Sequence, residues 1–87
     1  MKYAAIIEYI ADEAAVQAVR PTHREYLRGL KESGSLVTSG PFTDGSGALI
    51  VYEAESAERA EDLIRADPFN QAGVFVSWVL RPWNQVV

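Results

Sequence analysis

Apolar and polar residues follow two periods along the chain, and six segments come out of them. Residues 2–10, KYAAIIEYI, alternate as a strand, with Tyr3, Ala5, Ile7 and Tyr9 on one face and Ala4, Ile6, Glu8 and Ile10 on the other. Both faces are largely apolar, so both should be covered. Asp12 is a candidate N-cap, and from there to about Ser33 the period lengthens. Val16, Val19, His23, Tyr26, Leu27 and Leu30 recur at spacings of three and four, which makes one helix face. Pro21 interrupts that run. A proline inside a helix costs about 3 kcal/mol, but little in the first turn. The run therefore predicts a kink, or two short helices with the second starting near Pro21. Arg20, just before the proline, is biased away from helix, and Gly34 is a good stop.

Leu36 to Phe42 reads as a strand, with Leu36, Thr38, Gly40 and Phe42 facing one way. Pro41 has no N–H to give a ladder, so it marks an edge or a bulge. Thr43-Asp44-Gly45-Ser46-Gly47 is turn chemistry, with Asp-Gly a hairpin signal. Ala48 to Ala54 is the next strand, again apolar on both faces. Ser56 is an N-cap candidate for a helix carrying Ala57, Ala60, Leu63, Ile64 and Asp67 at helical spacing. Pro68 should end that helix at or just before Asp67, leaving Phe69 to Gly73 as a connector. Val74 to Arg81 is the last strand, with Val74, Val76, Trp78 and Leu80 on one face. The tail from Pro82 has no clear period.

Strand, helix, strand, strand, helix, strand is the α+β order of a ferredoxin-like β-α-β-β-α-β sandwich. Right-handed crossovers put both helices on one face of the sheet. The other face keeps too many apolar residues to stay in water, which points to a homodimer stacked sheet on sheet. Composition supports this. The 87 residues make one small domain spanning 1–87. A chain of this length buries only about 60–65% of its unfolded surface, so added burial in an oligomer is expected. The net charge of −4 argues against nucleic acid as a partner. No apolar run approaches the roughly 18 residues of a membrane span, and Glu8 breaks the one stretch that resembles a short signal. The absence of cysteine removes disulfides, thiolate catalysis and thiolate metal sites, and fits the cytoplasm.

Two polar groups then stand out. His23 is the only histidine, and it lies on the apolar stripe of its helix. Asp67 lies on the inward stripe of the second helix, at its end, where a carboxylate opposes the helix dipole unless paired. Two helices on one sheet face would each deliver one polar group inward. A carboxylate on one ring nitrogen fixes the tautomer and leaves the other nitrogen for proton transfer. The other reading of the same residues is a buried ion pair, or an Asp67 that only caps the turn into Pro68. Ser39, Gly40 and Pro41 at a strand end could line a pocket beside the helices or simply form a bulge. Arg20 could hold an anion or stay solvated. Tyr26 and Phe69 are substrate contacts or core. One histidine and no cysteine leave no zinc motif, no phosphate loop or dinucleotide fingerprint is present, and no cofactor is expected.

Arg20-Pro21-Thr22-His23, Leu36-Val37-Thr38-Ser39-Gly40-Pro41, Asp67-Pro68-Phe69 and Ala72-Gly73-Val74, taken in order and spacing, resemble the YciI-like proteins, the YCII-related domain family. The turn after Gly40-Pro41 is shorter here than in longer members. The resemblance implies a fold of the dimeric α+β barrel type. It also implies a His–Asp dyad at His23 and Asp67, with Ser39 nearby. Similar proteins include a dehydrochlorinase of chlorinated hydroxyhydroquinones and muconolactone isomerases. They imply lyase or isomerase chemistry, without a cofactor, on a small cyclic or aromatic substrate. A non-catalytic small-molecule-binding or accessory dimer domain is the alternative.

Overall fold

The structure, a computed structural model, describes residues 1–87. Its elements run β1 (Lys2–Tyr9), α1 (Glu13–Ser33), β2 (Leu36–Pro41), β3 (Gly47–Glu53), α2 (Ala57–Arg65), α3 (Pro68–Gln71) and β4 (Phe75–Trp83). The four strands form one antiparallel sheet in the order β2-β3-β1-β4. This is the ferredoxin-like α+β arrangement expected from the order of periods. No helix is long and apolar enough to cross a membrane.

The alternation of β1 decides which face the helices cover. Tyr3, Ala5, Ile7 and Tyr9 are buried, and so are their inward neighbours Ala48, Ile50 and Tyr52 of β3. Against them pack Val16 and Leu27 of α1 and Leu63 and Ile64 of α2. The opposite face holds Ile6 directly between Leu49 and Val79 across the ladders. These three are 38–52% exposed, so the apolar face left without a partner is the one carrying Ile6.

Asp12 caps α1 by accepting the Ala15 amide at 3.1 Å. Gly34, at φ 84°, closes it with the left-handed turn that glycine adopts at least cost, and the Ser35 amide reaches back to the Leu30 carbonyl at 2.8 Å. Between these caps the helix is unbroken, so the expected division at Pro21 is corrected. Pro21 and Gln17, whose carbonyl loses its helical donor, both lie on the exposed side. Water can satisfy that carbonyl there, and burial of Val16, His23 and Leu27 on both sides of the proline outweighs the lost bond.

Three further differences matter for the site. Asp67 is not the last residue of α2, which ends at Arg65; it is the N-cap of α3, a short helix that takes up the start of the expected Phe69–Gly73 connector. Pro68 then takes the first helical position, where a missing N–H costs nothing. β4 runs on to Trp83, and its register against β1 shifts between Glu8 and Tyr9. That shift turns Phe75 inward opposite Tyr9 and leaves Val76 exposed, so the expected Val74/Val76 face does not hold at this end. Finally, β2 is an edge strand, as Pro41 suggested, but its irregularity lies between Leu36 and Thr38 rather than at the proline. At the start of β3 only glycine fits: a Cβ on Gly47 would lie 1.8 Å from the Ile7 carbonyl oxygen.

Candidate active site

His23 and Asp67 meet. Nδ1 of the imidazole is 2.7 Å from Oδ1 of the carboxylate, across 44 residues of sequence. The residues are 5% and 0% exposed. The same Oδ1 accepts the Phe69 amide at 2.8 Å, which is the capping bond of α3. Oδ2 is buried and has no hydrogen-bond partner in the protein. An ionised carboxylate is acceptor-only. Nδ1 is therefore the donor, and in the neutral ring the lone pair is on Nε2. Nε2 makes no hydrogen bond to the protein and is not sealed from solvent.

The ring is held from below as well. It stacks on Phe69 with centroids 4.0 Å apart and planes 15° apart. Phe75 meets its edge at 6.2 Å, and Tyr9 stacks on Phe75 at 6.1 Å. The β4 register shift is what brings Phe75 into this group. Asp67-Pro68-Phe69 thus supplies a carboxylate, a helix start and a ring platform in three consecutive residues.

His23 borders a cavity of about 340 Å³ between α1 and the β2–β3 side of the sheet. Arg20, Ser39, Gly40 and Pro41 line it, with Ile50 at its floor. Four of the six residues expected to bind substrate thus line the cavity that His23 borders. Tyr26 and Phe69 do not line it. The Tyr26 hydroxyl donates to the Leu63 carbonyl at 2.7 Å, tying α1 to α2. Phe69 is fully buried behind the imidazole. Burial pushes the Tyr26 hydroxyl up from its ordinary pKa, with the Asp67 charge adding to the effect. Tyr52 is pushed up in the same way, and its buried hydroxyl has no protein partner.

Several lining residues were not anticipated, among them the polar side chains of Tyr9, Arg24, Arg28 and Lys31. The signal for Arg24 was present: it follows Arg20 at i+4 and so shares its side of the helix. Tyr9 shares the inward face of β1 and reads as core by alternation alone. No three His, Cys, Asp or Glu side chains come together in a group that could hold a metal ion. The arrangement equips one imidazole, fixed in plane and tautomer, to exchange a proton with a small molecule in a half-open cavity.

Comparison with known proteins agrees with this fold. Protein YciI of Escherichia coli O6:H1 (strain CFT073) is 32% identical over 79 residues, covering 79% of this chain and 81% of its own. YjpA of Bacillus subtilis (strain 168) is 39% identical over 51 residues, covering 59% and 60% of the two chains. Among solved structures, the fold matches 5-chloro-2-hydroxyhydroquinone dehydrochlorinase (TftG) of Burkholderia phenoliruptrix AC1100, in complex with 2,5-dihydroxybenzoquinone. That match has a TM-score of 0.85 at 23% identity, over 99% of this chain and 96% of the other. The family model of the YCII-related domain matches residues 1–84, and the chain belongs to the YCII-related domain family.

Proposed function

We propose that this protein is a cofactor-independent enzyme of the lyase or isomerase type, with His23 as general base and acid and Asp67 as its orienting partner. The observation that carries the reading is the pairing of Nδ1 with a buried carboxylate while Nε2 stays free at a cavity wall. Nε2 takes a proton from the substrate, whose C–H or O–H electron pair stays behind. The imidazolium returns the proton elsewhere on the substrate or to water. Asp67 stabilises the positive ring without taking the proton itself. Ser39, Gly40, Pro41 and Arg20 position the substrate.

The like-folded dehydrochlorinase acts on a chlorinated hydroxyhydroquinone and was captured with a dihydroxybenzoquinone. These favour a small cyclic or aromatic substrate for this chain. The active form is a homodimer, with the sheet face carrying Ile6, Leu49 and Val79 covered by a second copy.

The test is a screen of wild type and His23→Ala against chlorinated hydroxyhydroquinones and unsaturated lactones, read by chloride release and ultraviolet spectra. General acid–base catalysis contributes about 10²–10⁴ in rate, and His23→Ala should lose that factor on any substrate turned over. Equal turnover by a folded His23→Ala protein would remove the assignment. Saturable binding without turnover would favour the accessory, ligand-holding reading.

A further inference from the structure

We infer that the ligand of the His23 cavity is an organic dianion, held against the imidazole by Arg20, Arg24 and the hydroxyl of Tyr9. This rests on the reading of the cavity as a proton-transfer site and names its substrate class.

Charge distribution is the first ground. The chain carries a net charge of −4, yet four of its eight Lys and Arg side chains line this one cavity and no Asp or Glu does. Arg20, Arg24, Arg28 and Lys31 follow one another along one side of α1 at spacings of four, four and three. Like charges at such spacings repel and cost the helix stability. A ligand of opposite charge offsets that cost.

Pairing within the protein is the second ground, and it separates the four. Arg28 is paired with Glu25 at 3.0 Å, and Lys31 donates to the Val37 carbonyl at 2.6 Å. Arg20 and Arg24 pair with no carboxylate and donate no side-chain hydrogen bond in the protein. They flank His23 at i−3 and i+1. Two unanswered guanidiniums at the mouth of a concave site match two negative charges, and the low-dielectric wall behind them strengthens the attraction.

Tyr9 is the third ground. Its ring is buried on Phe75 and Phe69, yet its hydroxyl has no hydrogen bond to the protein and is not sealed from solvent. Burial pushes the Tyr9 hydroxyl above its usual pKa, although Arg20 and Arg24 pull it down. It therefore remains a neutral donor at neutral pH, aimed at the same space as the two cations. Three donors around an imidazole suit an anion whose charge grows when His23 removes a proton.

The test uses terephthalate, benzoate and benzamide, which carry two, one and no negative charges on one ring. Binding to the full chain is followed by calorimetry and by NMR of the His23 ring. The expected order is terephthalate, then benzoate, then benzamide, with the first weakened by added salt. Arg20→Ala and Arg24→Ala should each weaken terephthalate about tenfold or more, the loss expected for a charge-assisted contact, and leave benzamide unchanged. Arg59→Ala, on the exposed surface of α2, should change nothing. Equal binding of all three, no response of the His23 signals to terephthalate, or indifference to both arginine variants would overturn the inference. Turnover is not read here, so these outcomes are distinct from failure of the proton-transfer reading.

Discussion

The imidazole of His23 lies flat on the ring of Phe69, 4.0 Å away, while the Phe69 amide shares one Asp67 oxygen with that imidazole. A short helix turn therefore fixes both the plane of the ring and the hydrogen bond at its edge. Packing and polarity in this site are not separable into core and function.

Phe69→Leu keeps an apolar side chain and the α3 amide but removes the flat platform. It should cost about 1–3 kcal/mol in chemical denaturation. Turnover measured well below the unfolding transition should fall further than the unfolded fraction explains, because the ring is free to tilt.

Asp67→Ala removes the acceptor for both His23 Nδ1 and the Phe69 amide. A lost cap and a lost charge-assisted hydrogen bond together should cost about 2–4 kcal/mol. Asp67→Asn keeps an oxygen where Oδ1 stands and should cost less. It removes the negative charge, so its turnover should fall about as far as that of Asp67→Ala. Denaturant midpoints beside initial rates for the two variants check the contrast.

Two tyrosines, the half-buried Tyr26 and the fully buried Tyr52, should part in the opposite sense. Tyr26→Phe loses the bond to Leu63 and should destabilise by about 1 kcal/mol. Tyr52→Phe removes a buried hydroxyl with no protein partner and should be neutral or stabilising. Burial holds the proton on Tyr52 more tightly in the folded than in the unfolded chain, and Asp67 and Tyr26 add to this. Above the ordinary tyrosine pKa of about 10 the unfolded chain releases that proton first, so stability falls as pH rises. Melting curves between neutral pH and pH of about 11 should show a shallower fall for Tyr52→Phe.

Ile6 sits between Leu49 and Val79 at the centre of the open sheet face. Ile6→Asp places a charge there while leaving the helix-covered face untouched. On the proposed dimer, wild type should sediment as a dimer and Ile6→Asp as a monomer of 9.6 kDa. Arg59→Ala should stay dimeric.

Periodicity made most of this fold legible. The β1 alternation, the Asp12 and Ser56 caps, the Gly34 stop and the element order were all readable. The convergence of His23 and Asp67 was expected from two helices sharing a sheet face, although Asp67 arrives as the cap of α3 rather than on the stripe of α2. What escaped depends on tertiary context. Pro21 reads as a break because local propensity cannot weigh the burial on either side of it. Asp67 reads as a helix end because a four-residue helix has too short a period to announce itself. Val76 reads as inward because a one-residue register shift between two strands far apart in sequence leaves no local trace. Arg24 was visible at i+4 from Arg20, but its meaning depends on the cavity that the β2 edge completes.

Nitrogen-15 NMR of the neutral His23 ring tests the dyad most directly. The expected spectrum has the proton on Nδ1, in a strong hydrogen bond that Asp67→Asn weakens, and an unprotonated Nε2. A neutral ring with its proton on Nε2, unaffected by Asp67→Asn, would contradict the assignment of His23 as the proton-transfer group.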